Sequence, residues 1–160
     1  DSFISGVVYG EGDPAQVEEL GTVAVSSDGG EAVGAFTARA GSPALPRLLQ
    51  VGSLTPDQSL VVARGADLSL RWRASDTPDE LTYLEVLYSK ARRDLALRCR
   101  LRDDGQFEVP APLIEEAAQA AGGRLALELA RMRQTAFSAS GLDTGELRVT
   151  VRERAPLQVQ

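Results

Sequence analysis

The sequence predicts an all-β fold, a sandwich or barrel, with one short helix inserted between late strands. Three observations predict it: short runs in which apolar and polar residues alternate, turn chemistry rich in Gly, Asp and Pro between those runs, and a single stretch of helical composition near position 115. At 160 residues, with 43% apolar and 25% charged residues, the chain is long enough to bury a core without disulfides or metal.

The first third is dense in turns. FISGVVY (Phe3 to Tyr9) reads as a short strand followed by the loop GEGDPAQ (Gly10 to Gln16). SSDGGE (Ser26 to Glu31) lies between TVAV and the pair Ala35-Phe36, and Asp-Gly-Gly between strands predicts a tight hairpin. AGSPALP (Ala40 to Pro46) then supplies two prolines and a glycine, a natural seam. The expected division is therefore a small N-terminal β unit over 1–45, the sandwich over 46–155, and a tail at 156–160.

Beyond the seam, RLLQV and SLVVARGADLSLRWRAS give further strands around a turn at Pro56. In DLSLRWRAS, Leu68, Leu70 and Trp72 fall on one face and Ser69, Arg71 and Arg73 on the other, the period-two pattern of a half-buried strand. Leu84, Val86 and Tyr88 share a face in the next run, as do Leu95, Leu97, Cys99 and Leu101 in the one after. Asp103-Asp104-Gly105 then predicts a hairpin into the strand of Phe107 and Val109, because Gly tolerates positive φ. PLIEEAAQAAGG has Pro at an early helical position, Glu115 and Glu116 near the positive end of the dipole, and Gly122 as a stop, so Pro112 to Ala121 is expected to be helical. Leu125, Leu127 and Leu129, then Leu147, Val149 and Val151, mark two final strands.

The composition excludes a good deal. A net charge of −6 gives no electrostatic footprint for a nucleic-acid backbone. No apolar run approaches the ~18 residues of a transmembrane helix. With no histidine there is no Ser-His or Cys-His pair and no His-based zinc site, and neither S-x-x-K nor G-x-S-x-G is present. Cys99, the only cysteine, shares a face with leucines and is expected to act as a small hydrophobe. No cofactor and no catalytic residue are expected. Calcium has two loose candidate groups, Asp76 with Asp79 and Glu80, and Glu11 and Asp13 with Glu18 and Glu19, neither in an EF-hand pattern.

The order Leu68, Leu70, Trp72, a polar loop, and then Leu84, Val86, Tyr88 resembles strands B and C of a fibronectin type III or related immunoglobulin-like domain, over roughly 46–155. That resemblance implies a core tryptophan on strand B; the chain departs from it in lacking a tyrosine in Leu125 to Leu129 and in carrying the helix between strands E and F. A narrower resemblance is to exported bacterial β-sandwich proteins, carried by Asp67-Leu68-Ser69-Leu70-Arg71-Trp72, by Cys99, and by Val109-Pro110-Ala111-Pro112-Leu113-Ile114. It implies a secreted or cell-envelope setting, periplasmic or associated with the outer membrane. A chain starting at Asp1 fits a processed protein, with room for a lipid anchor outside the given sequence.

The candidate site is a row of arginines. Arg71, Arg73, Arg98, Arg100 and Arg102 alternate outward, with Arg131 and Arg133 ending a third strand, and guanidinium forks match carboxylates, phosphates and sulfates. Glu85, Glu108, Glu128 and Glu146 alternate outward too, and cross-strand ladders with them would make the rows structural instead. The expected function is non-catalytic binding, or a structural accessory role, toward a protein or anionic polysaccharide of the cell envelope. The alternative is a hydrolase acting on carbohydrate through two carboxylates alone.

Overall fold

The computed structural model describes residues 21–54, 60–77, 79–88 and 95–160. The described chain is mostly strand: β1 (Thr22–Ser27), β2 (Phe36–Gly41), β3 (Leu48–Val51), β4 (Leu60–Val62), β5 (Leu68–Trp72), β6 (Glu80–Tyr88), β7 (Leu95–Leu101), β8 (Gln106–Val109), helix α1 (Ala111–Ala121), β9 (Arg124–Phe137) and β10 (Gly145–Val159). They form three sheets, ordered β1-β2, β3-β5-β8 and β4-β10-β9-β6-β7.

Period-two alternation builds the core. Leu68, Leu70 and Trp72 point from β5 toward Leu84 and Val86 of β6 and Leu125, Leu127 and Leu129 of β9, and all belong to one buried cluster. Trp72 is 3% exposed, as strand alternation requires. Leu157 and Val159 of β10 are buried in the same cluster, so the strand continues through the stretch expected as a tail at 156–160. The end of β10 is held by β4, which runs parallel to it with Leu60 opposite Leu157 and Val62 opposite Val159.

Helix α1 begins at Ala111, one residue before the expected start, and ends at Ala121. Its first amide is capped from a distance: Asp67, at the entry to β5, accepts a hydrogen bond from the Ala111 N–H at 2.7 Å. Gly122 closes the helix at φ 63°, and the Gly123 N–H reaches back to the Ala118 carbonyl at 2.8 Å. Ile114, Ala117 and Ala118 bury the helix against the core.

Two turns differ from expectation. The hairpin at SSDGGE is not tight, since eight residues separate β1 from β2. Its loop is long because it docks elsewhere: the Gly34 N–H donates to the Ser140 carbonyl at 2.7 Å, and Phe36 stacks on Phe137 with centroids 4.9 Å apart. The β1-β2 hairpin is thus a separate sheet laid against the far end of β9 and β10. Asp103-Asp104-Gly105 is a turn but not a hairpin, because β7 pairs with β6 while β8 pairs with β5 in the other sheet. Gly105, at φ 85°, offers its carbonyl to the Trp72 N–H at 3.0 Å.

Asp103 braces that crossing. Its carboxylate accepts from Trp72 Nε1 at 2.7 Å, Thr82 Oγ1 at 3.0 Å, and Arg131 Nε at 2.6 Å and Nη2 at 2.9 Å. Arg131 is 1% exposed and also donates to the carbonyls of Ala44, Leu45 and Arg73. One arginine therefore ties the seam after β2, the loop after β5, the turn after β7 and the middle of β9. Burial alone would raise the Asp103 carboxyl, but the hydrogen bonds from Arg131, Trp72 and Thr82 and the guanidinium charge outweigh it and hold it below its ordinary value.

Candidate functional site

The residues of β6, β7, β9 and β10 that point away from the core make a continuous surface whose composition follows from register. Arg154 lies opposite Glu128, Glu128 opposite Glu85, and Glu85 opposite Arg98, a row across four strands. The neighbouring row reads Arg152, Ala130, Tyr83, Arg100. Arg148 and Arg124 extend the same face along β10 and β9. Along each strand, alternate arginines stand ~6.8 Å apart, and the β10 and β7 columns are separated by three strand spacings, about 14 Å.

Between the two columns the floor is small and tightly covered. Ala126, Ala130 and Leu87 are buried although they fall on the outward parity of their strands. Arg98 donates from Nε to Glu85 at 2.6 Å and sits over the Tyr83 ring at 5.8 Å from its centroid. Arg152 and Arg154 flank Glu128 at 3.7 and 3.6 Å, and Arg148 pairs with Glu146. Among the described residues Arg100 and Arg124 make no ion pair. The face holds six arginines against three glutamates in a chain whose net charge is −6.

The five arginines expected to form the site are split. Arg98 and Arg100 belong to the face just described, and Arg102 lies just past β7. Arg71 is on β5, on the outside of the three-stranded sheet, and Arg73 follows that strand. Arg131 and Arg133 turn inward; Arg133 donates to Glu80 at 2.7 Å. Their parity on β9 is that of Leu125, Leu127 and Leu129, so the same alternation that sends the leucines inward carries these two arginines with them. Sequence reasoning missed Arg148, Arg152 and Arg154, whose outward phase follows from that of Leu147 and Val149.

The acidic candidates have other employment. Glu80 accepts from Arg133, from Ser75 Oγ at 2.9 Å and from the Ala44 N–H at 3.4 Å, which leaves Asp76 and Asp79 without it as a third ligand. Glu11, Asp13, Glu18 and Glu19 lie outside the described residues. Among the described residues no three or more of His, Cys, Asp and Glu gather to hold a metal ion. Glu85 and Glu128 are the carboxylates that register brings face to face, and each is engaged by arginine. A shallow concavity lined by Thr77, Asp79, Leu81, Arg133, Gln134 and Thr135 opens widely to solvent. No helix in the described residues is long and apolar enough to cross a membrane.

Burial pushes the Cys99 thiol up and makes it a sluggish nucleophile. Glu153 points inward from β10 and accepts from the Leu48 N–H at 2.8 Å; burial raises its carboxyl, only partly offset by that bond and by Arg47. No family model, curated protein or solved structure matches this chain.

Proposed function

We propose that this chain is a non-catalytic binding domain that receives an anionic partner, a protein or an acidic polysaccharide, on the outer face of its five-stranded sheet. The observation that carries the proposal is the concentration of six arginines against three glutamates on one face of an acidic protein. Paired arginine columns over a floor of Ala126, Ala130 and Tyr83 suit a linear polyanion. A secreted or envelope setting is supported by the resemblance to exported β-sandwich proteins.

The scaffold reading that goes with it is an immunoglobulin-like sandwich. Its support is the strand order: β3-β5-β8 and β4-β10-β9-β6-β7 correspond to A-B-E and A′-G-F-C-C′, with β4 parallel to β10 as A′ is to G. Trp72 inward on the second strand of the smaller sheet, and a helix at the E to F crossover, agree with it.

The test is retention on immobilised polygalacturonate or polyglutamate at low salt. Arg100→Glu with Arg152→Glu is expected to abolish retention while circular dichroism stays that of the parent, and Arg71→Glu, on the other sheet, to leave retention nearly intact. Equal losses from the two variants, or no retention of the parent protein, would rule the face out.

A further inference from the structure

Strand β10 is fifteen residues long, yet among the described residues β4 covers its outer side only from Leu157 to Val159. Which backbone groups face that side follows from the C-terminal end of the strand. The Gln160 N–H donates to the Val62 carbonyl at 3.0 Å and the Gln160 carbonyl accepts from the Arg64 N–H at 2.9 Å, so Gln160 addresses β4. The Val159 N–H turns the other way, to the Gly123 carbonyl at 2.9 Å. Register with β9 is unbroken from Gly145 to Gln158, so the even-numbered residues keep the direction of β4 along the whole strand. Glu146, Arg148, Thr150, Arg152 and Arg154 therefore present their N–H and C=O groups along an open edge, a template for another strand. Pro156 obeys the same parity, with its missing N–H on the edge side.

The side chains on this edge select what can pair with it. Laid antiparallel against itself about a two-fold axis at Val149, β10 sets Glu146 opposite Arg152 twice and Arg148 opposite Thr150 twice, with no like charges facing. On the other face, half-buried Leu147 meets half-buried Val151, and Val149 meets its own copy. Neighbouring registers are penalised. Centring on Arg148 sets that arginine opposite itself, centring on Thr150 sets Arg148 opposite Arg152, and centring on Val151 sets Arg148 opposite Arg154. The edge of β7 has no such complement, since centring it on Cys99 sets Arg98 opposite Arg100.

We infer that the β10 edge is the seat of a second copy of this chain, the two strands pairing antiparallel with Val149 on the two-fold axis and Glu146 opposite Arg152 of the second copy. The two five-stranded sheets then run on as one, and the pairing covers Leu147 and Val151. The seat does not rest on the polyanion reading: it needs the edge groups of β10 and one pair of complementary charges.

Sedimentation of the full chain across micromolar to millimolar concentration tests it, and a reversible dimer is expected; a parent protein that stays monomeric throughout would overturn the inference. Thr150→Pro takes away an edge-facing N–H that β9 does not use, so circular dichroism should be unchanged while the dimer dissociation constant rises by about tenfold or more. An unchanged constant in that folded variant places the dimer elsewhere and overturns the seat. Charge reversal tests the register without proline: Glu146→Arg and Arg152→Glu should each weaken the dimer and the two together restore it, and failure of the double variant to recover overturns the register. Even-numbered pairs being hydrogen-bonded, Val149 and its copy form a non-hydrogen-bonded pair with Cα atoms ~4.5 Å apart, within reach of a disulfide. With Cys99→Ser in the background, Val149→Cys is expected to give a disulfide-linked dimer under mild oxidation. Leu147→Cys should not, because its two copies are offset by about 14 Å along the strands. The reverse pattern, or no cross-link from Val149→Cys, overturns the inference.

Discussion

Removing one partner of the Arg131–Asp103 pair and removing both should have different consequences. Arg131→Met leaves Asp103 without its guanidinium, and Asp103→Asn leaves a 1% exposed cation without its counter-charge. Each is expected to cost about 3–5 kcal/mol by urea unfolding, whereas the double change Arg131→Met with Asp103→Leu should recover part of that loss. Trp72→Ala is expected to cost a similar ~3–5 kcal/mol, as a cavity beneath the same carboxylate, and native tryptophan fluorescence should move red on unfolding. Two carboxyls then contribute to the acid limb in opposite senses. Asp103 titrates below its ordinary 3.8 when folded, so its contribution is present above that value and is lost as pH falls through the lowered one. Glu153 titrates above its ordinary 4.5, so the folded state gains on protonating it and that gain disappears as pH rises through the raised value. Melting temperature against pH should therefore be flatter on its mildly acidic side in Glu153→Gln and fall less at lower pH in Asp103→Asn than in the parent.

At the scale of the element, the alternating strands were legible and the connections were not. Leu68, Leu70 and Trp72 declared their strand and its buried face, and Leu125, Leu127 and Leu129 theirs, because period two has few other interpretations. Asp103-Asp104-Gly105 specified a positive φ at Gly105 but not which sheet the next strand joins; the Asp103 carboxylate that holds the crossing in place is bound by Trp72, Thr82 and Arg131, residues remote in sequence. Helix α1 was readable from its composition, yet its cap was not, since Asp67 comes from 44 residues away. Replacing Asp67 by Ala should cost about 1 kcal/mol, read in thermal unfolding, as the loss of a cap. Gly122→Ala should cost roughly 1–2 kcal/mol, because the position is left-handed at φ 63° with free space around it, so the penalty is conformational and not a clash.

For the whole molecule, the arginine face was half legible. Parity placed Arg98 and Arg100 outward correctly, but grouping Arg71 and Arg73 with them required knowing that β5 and β7 belong to different sheets, which is a property of topology that alternation does not contain. If the face binds polyanions as proposed, affinity should fall steeply between 0.1 and 1 M salt as the Debye length contracts from ~10 to ~3 Å. Arg131 also bears on how the chain reaches this topology. The groups it joins lie 28, 58, 86 and 87 residues from it along the chain, so the joint closes only after several long loops have closed. The transition state for folding should therefore contain little of it, giving Arg131→Met a φ-value near zero and placing its effect on the unfolding limb of the chevron. The joint acts as a late-closing clasp: it slows escape from the native state and does little to speed arrival.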